Sequence, residues 1–240
     1  MFLKKVLGVL LFVHLLIFNL SIVNWKLISL VVALSSLIPL ITGVIKFNKI
    51  HNKYKSFIYL IALYALTEIV GQILIFINQA VLHTLMMNVF VFLDFFFLYT
   101  IIVHWIRRKP KVYDYAIVIL LAFIWIYDNL ILNKITVTNS IFRIIYSIVI
   151  CAISISLMNK QIMNLNRQFF RDPLFIIGLS SLIFYTYKAI YESIYLINVN
   201  NNHTLIISFG ILIIINFLNY LLLTIAILCM EKRNKIFSTY

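Results

Sequence analysis

The feature that most constrains this chain is a series of long apolar stretches, each of the length of a membrane-spanning helix. A helix that crosses about 30 Å of hydrocarbon, rising about 1.5 Å per residue, needs about 20 mostly apolar residues. Eight stretches of the 240 residues meet this requirement: Val6–Val23, Leu27–Ile45, Ser56–Ile77, Leu85–Trp105, Tyr115–Leu132, Ser140–Met158, Pro173–Ile197 and Leu205–Met230. We therefore predict an all-α polytopic membrane protein, with eight transmembrane helices in a single domain over residues 1–240.

Composition excludes the other classes of protein. The chain is 64% hydrophobic and 11% charged, whereas soluble domains have about 45–50% and about 25%. A soluble globule or a disordered chain is excluded on these grounds, and two cysteines are too few for a disulfide scaffold. The apolar stretches are continuous and do not alternate, which excludes an outer-membrane barrel.

Basic residues are distributed unevenly along the chain. Sixteen lie before the first stretch, after the second, fourth and sixth stretches, and after the eighth, whereas the alternate connections hold only Lys26 and Lys134. The positive-inside rule then predicts that both termini are cytoplasmic. Topology and contact with anionic lipid headgroups explain the net charge of +13, so we expect no nucleic-acid partner.

Two local signals refine the helices. Pro39 lies inside the second stretch and leaves the Ser35 carbonyl without its helical donor, so we expect a kink that the Ser35 or Ser36 hydroxyl compensates. Asp172 before Pro173 is typical of an N-cap followed by proline in the first turn, which predicts the start of the seventh helix.

A weak internal repeat is also visible. An Ile-Asn pair at 77–78 and a His-Thr-Leu run at 83–85 recur 120 positions later, at 197–198 and 203–205. This spacing is typical of a parallel four-plus-four duplication. Coincidence is the alternative, since isoleucine and leucine are abundant and the first two stretches align poorly with the fifth and sixth.

Polar and ionisable side chains inside the stretches are the main functional signal. A charged group at the bilayer centre costs roughly 2.5–3.5 kcal/mol, so it must face protein or water. Several of these residues recur at helical spacing and lie between the midplane and the predicted outer surface. We predict that eight of them line an outward-facing polar pocket: Glu68, Gln72, Asp94, Arg143, Tyr185, Lys188, Glu192 and Asn216.

Two interpretations of these charges remain open. In the structural one they only hold helices together, through the following pairs: Lys188 with Glu192 or Glu68, and Arg143 with Asp128 or Asp94. In the functional one they line a partly hydrated cavity. Four intramembrane acids against two cations leave two acids without a protein partner, which favours the cavity.

Motifs for established chemistries are absent from the sequence. No HxxxH or HExxH spacing predicts a metal site, and no GxGxxG, Walker, GxSxG or CxxC pattern is present. We therefore expect neither cofactor nor metal, assign no catalytic residue, and favour a role other than that of an enzyme.

Three short motifs resemble a family of uncharacterised multi-span inner-membrane proteins of Bacteroidota. They are the Leu66-Thr67-Glu68 run, the Phe92–Phe97 run around Asp94, and the run from Asn216 to Tyr220. That family has a similar Thr-Glu pair, a carboxylate in the next span and spaced asparagines in the last, although Asp94 stands where glutamate is expected. The resemblance implies a bacterial inner-membrane location and an association with sensor-kinase signalling.

These observations predict a noncatalytic sensory or regulatory membrane module, in which a ligand or proton in the pocket acts through a partner protein. A small proton- or cation-coupled transporter or channel is the first alternative, with Glu68 and Asp94 as the binding carboxylates. A lipid-modifying enzyme that uses the same acids for general acid–base catalysis is the second.

Overall fold

The helices of the structure follow the predicted stretches closely. It is a computed structural model that describes residues 25–107, 109–163, 171–197 and 202–230. We number the helices in chain order: α1 Trp25–Ser35, α2 Leu37–Lys46, α3 Lys55–Phe76, α4 Ala80–Arg107, α5 Val112–Ile126, α6 Ser140–Met163, α7 Pro173–Ile197 and α8 Asn202–Cys229. A 3-10 turn, Asn52–Tyr54, precedes α3, and a π-helical segment, Tyr127–Leu132, continues α5.

Seven helical segments within the described ranges are long and apolar enough to cross a membrane. The first consists of α1 and α2 together, and each of the others contains one of the helices from α3 to α8. They coincide with the second to eighth predicted stretches, while the first, Val6–Val23, lies outside the described residues. The all-helical, multi-pass character predicted from the sequence is therefore confirmed.

The expected interruption near Pro39 is present. α1 ends at Ser35 and α2 begins at Leu37. The Ser35 hydroxyl donates to the Val32 carbonyl at 2.5 Å, and the Ser36 hydroxyl donates to the Ala33 carbonyl at 2.6 Å. Neither hydroxyl bonds to the Ser35 carbonyl, the one that Pro39 leaves without a backbone donor, so the expected compensation is not made at that position.

The predicted cap of α7 is also present. Asp172 Oδ1 accepts hydrogen bonds from the backbone N–H groups of Leu174, at 2.8 Å, and Phe175, at 3.2 Å. These are first-turn donors that have no partner inside the helix.

Lysine side chains close helices at one end of the bundle, which we call the proximal end. Lys46 donates to the Leu228 carbonyl at 2.7 Å, and Lys160 donates to the carbonyls of Trp105, at 3.1 Å, and Ile106, at 2.6 Å. Cations at these C-termini satisfy free carbonyls and complement the helix dipole. The opposite, distal end contains the turn at 77–79 and the loop at 133–139.

Small residues allow α6 and α7 to approach closely, and this pair makes the most extensive contact among the described helices. A Cβ atom at Gly178 would lie 2.8 Å from Met158 Cγ and 3.3 Å from the Ser154 carbonyl oxygen, so a larger residue there would require Met158 to move. Nearby, the fully buried rings of Phe142 and Tyr146 stack with centroids 5.3 Å apart, and Phe95 packs against both. Buried apolar residues of α3 and α8 belong to the same cluster, so the core extends across α3, α4, α6, α7 and α8.

Candidate functional site

A cavity of about 390 Å³ extends from the distal end into the bundle. Its walls reach Thr138 and Tyr195 at the distal end, and Leu98 and Leu223 deeper inside. All eight predicted pocket residues line it: Glu68, Gln72, Asp94, Arg143, Tyr185, Lys188, Glu192 and Asn216. The fold thus brings together, in one chamber, polar side chains from α3, α4, α6, α7 and α8.

Asp94, in the middle of α4, is the centre of a hydrogen-bond cluster. Its side chain is buried, and three phenol groups donate to it. Tyr64 donates to Oδ1 at 2.7 Å, Tyr185 to both oxygens at 2.7 and 2.8 Å, and Tyr146 to Oδ2 at 3.3 Å. The carboxylate is therefore satisfied without a lysine or arginine, and the phenols join α4 to α3, α7 and α6.

Arg143 on α6 forms a buried ion pair with Glu192 on α7. Its Nη1 lies 3.1 Å from Glu192 Oε1, and its Nη2 donates to Asn88 Oδ1 at 2.9 Å. The Ser140 hydroxyl donates to the second Glu192 oxygen at 2.6 Å. This network connects α4, α6 and α7 on the distal side of Asp94.

The predicted partners of Arg143, Asp128 and Asp94, are therefore wrong. Asp128 is fully buried and accepts the Phe142 backbone N–H at 2.9 Å and the Asn133 amide at 3.3 Å. It caps the first turn of α6, where a carboxylate satisfies a free donor and interacts with the positive end of the helix dipole. Its role is structural, and it does not line the cavity.

Lys188 on α7 forms no ion pair with any residue that the structure describes. Its Nζ lies 5.1 Å from the ring centroid of Tyr146, 5.5 Å from that of Phe184 and 5.7 Å from that of Tyr185. Across the described parts of the chain, no carboxylate oxygen lies within 4.0 Å of Lys188 Nζ, the longest distance at which an ion pair is counted. The predicted pairing of Lys188 with Glu192 or Glu68 is therefore wrong. Arg143 pairs with Glu192, and the hydrogen bonds that Glu68 accepts come from α8.

Glu68 on α3 is held from one side only. Its Oε1 accepts hydrogen bonds from Tyr220, at 2.9 Å, and Asn216, at 3.3 Å, both on α8. No donor within the described ranges bonds to Oε2. Gln72 lies one turn farther along α3 and lines the cavity toward the distal end.

The sequence analysis did not identify Asn88, Tyr146 or Tyr220 as site residues. Asn88 is buried, and its amide donates to the carbonyls of Ile135, at 2.7 Å, and Val137, at 2.8 Å, holding the distal loop against α4. A carboxamide inside an apolar stretch was the available signal for Asn88. The two tyrosines carried no such signal, since tyrosine is common in apolar cores.

Among the residues that the structure describes, no group of three or more His, Cys, Asp or Glu side chains could hold a metal ion. The fold and the cavity define a multi-pass helical membrane protein with a polar chamber that is lined by several helices. Comparisons with protein families, characterised proteins and solved structures found no match to this chain.

Proposed function

We propose that this protein is a noncatalytic sensory or regulatory module of a bacterial inner membrane, which binds a small ligand in the cavity and acts through a partner protein. The observation that supports this proposal is the ammonium group of Lys188, which lines a cavity within the bundle and lacks a carboxylate partner in the described residues. The cavity volume of about 390 Å³ lies in the range of small-molecule pockets, about 300–1,000 Å³.

A ligand in this cavity would touch helices that are already connected by polar contacts. Asp94 and its phenol donors connect four helices, and the pair of Arg143 and Glu192 connects two of them again. A ligand that contacts Lys188 would favour the arrangement of these helices that fits it best. This change of helix packing is the signal that a partner protein would detect.

In the proposed topology both termini and the proximal end face the cytoplasm. This end carries most of the basic residues, where anionic lipid headgroups and a partner protein would bind. Single cysteines introduced at Lys109 and Lys134 would test the orientation, because a membrane-impermeant thiol reagent applied to intact cells should label only the second. The eighth span and the four-plus-four repeat remain predictions.

A binding assay with the full-length protein in lipid nanodiscs tests the proposal. Fractions of a bacterial small-molecule extract are screened for an increase in melting temperature of the wild type, K188M and K49M. Lys49 is exposed and lies outside the cavity, so K49M is a matched control for the loss of a lysine charge. We expect a fraction that stabilises the wild type and K49M but leaves K188M unchanged. Equal responses of all three proteins, or no response from the wild type, would contradict the proposal.

A proton- or cation-coupled transporter is the second candidate, and the free Oε2 of Glu68 favours it. Glu68 lines the cavity, and its Oε2 has no hydrogen-bond donor from the described residues, which leaves an oxygen for a proton or cation. Proteoliposomes that contain a pH-sensitive dye distinguish the two functions. A transporter should dissipate an imposed proton gradient, and E68Q should abolish that flux, whereas a sensor should show no flux that depends on Glu68.

A further inference from the structure

Two charged groups of the cavity are left available to a ligand by their surroundings. The ammonium group of Lys188 lies over three aromatic rings and has no ion pair with a described residue. Glu68 receives both of its hydrogen bonds at Oε1. The other charges of the cavity have direct partners, since Asp94 accepts from phenols and Arg143 pairs with Glu192, leaving only the Nε of Arg143 without a bond to the described residues.

Lys188 and Glu68 occupy equivalent levels of the cavity. Tyr64 on α3 and Tyr185 on α7 donate to the same carboxylate, that of Asp94, so their hydroxyl groups lie at the same depth in the bundle. Glu68 lies four residues beyond Tyr64, and Lys188 lies three residues beyond Tyr185, in both cases toward the distal end. One helical turn is about 5.4 Å, so the two charges flank the same part of the cavity.

We propose that the cavity binds a small zwitterion, with its acidic group at Lys188, its amine at Glu68 and an apolar body between aromatic walls. This inference rests on the proposed function as a ligand-binding module. A ligand with a single charge would pair with either Lys188 or Glu68 and leave the other residue desolvated and unpaired, which is costly in a low-dielectric site. A zwitterion pairs both groups at once.

The lining of the cavity suits an apolar body of moderate size. Phe90, Phe184, Phe209 and Tyr191 all contribute to the walls. Aromatic faces accept apolar groups, and they also attract an ammonium group through their π-systems. An amino acid with a large apolar side chain combines the required charges with such a body.

A set of isomers tests the inference with the full-length protein in nanodiscs. The test compounds are the α-, β- and γ-amino derivatives of phenylbutyrate. These three amino isomers differ from one another in the separation of their charges. Phenylbutyrate itself and phenylbutylamine are the singly charged controls. Binding is measured by isothermal titration for the wild type, K188M, E68Q and K49M, after circular dichroism has verified that each variant is folded.

We expect at least one amino isomer to bind the wild type and K49M about tenfold more tightly than either control compound, because each control loses one charge-assisted hydrogen bond. In E68Q this isomer should lose its advantage over phenylbutyrate, and in K188M its advantage over phenylbutylamine. These losses would support the assignment of one charge of the ligand to each residue.

Two outcomes would overturn the inference. If phenylbutyrate or phenylbutylamine binds the wild type as tightly as every amino isomer, the ligand need not be a zwitterion, while a binding cavity that depends on Lys188 would stand. If none of the five compounds binds, the zwitterion assignment fails, and the extract screen decides separately whether the cavity binds any ligand.

Discussion

Replacement of Asp94 by asparagine is the most informative perturbation of the bundle, because three phenol groups depend on this one carboxylate. Its two oxygens accept from Tyr64 and Tyr185 at 2.7–2.8 Å and from Tyr146 at 3.3 Å. Asparagine keeps one oxygen and loses the negative charge, so D94N should retain only part of these contacts. Hydrogen bonds inside membrane proteins contribute about 0.6 kcal/mol on average and about 1.7 at most. Because charged acceptors belong at the upper end of that range, we expect D94N to cost about 2 kcal/mol of unfolding free energy.

Single phenylalanine substitutions show how this energy is distributed. Y185F removes a hydroxyl that contacts both Asp94 oxygens, and it should cost about 1.5 kcal/mol. Y146F removes a hydroxyl at 3.3 Å, where a hydrogen bond is weak, and it should cost about 0.5 kcal/mol. Equilibrium unfolding in mixed micelles at increasing fractions of SDS, followed by tryptophan fluorescence, measures all three differences.

The order of the effects is the critical result. The phenols act through the carboxylate, so Y185F in the D94N background should cost clearly less than it does in the wild type. A neutral D94N, or a Y146F that destabilises as much as Y185F, would refute the view that charge-assisted hydrogen bonds to Asp94 stabilise the bundle.

The same unfolding assay checks three further predictions. R143M should cost about 3 kcal/mol of unfolding free energy, because it leaves buried Glu192 without its cation. Adding E192Q to R143M should restore at least about 1 kcal/mol. An R143M variant as stable as the wild type would show that the ion pair does not stabilise the bundle. D128A should cost about 1–2 kcal/mol, because it removes the acceptor of a first-turn N–H of α6. W125F should cost about 0.6–1 kcal/mol, since the indole donates to the Asn88 carbonyl at 3.0 Å, and a cost near zero would contradict a structural role for that contact.

The membership of the cavity was predictable to a large extent, whereas its pairing was not. Lys188 and Glu192 lie one turn apart on α7, and this spacing favours a pair within one helix. In the fold, Arg143 on the neighbouring α6 occupies Glu192 instead, and Asp128 is used to cap a helix. Spacing along a helix defines a shared face, but it does not specify the partner on the next helix.

The sequence by itself determined that the chain is helical and multi-pass, where its helices lie, and which side chains must avoid lipid. Hydrocarbon requires every backbone polar group to be bonded within its own segment, and it penalises each exposed charge, so both results follow from local sequence. Only the tertiary structure decided that Asp94 accepts from three phenols and that no carboxylate of the described residues pairs with Lys188. Those contacts join residues from different helices, and the helix packing that selects them depends on the shapes of all the side chains at once.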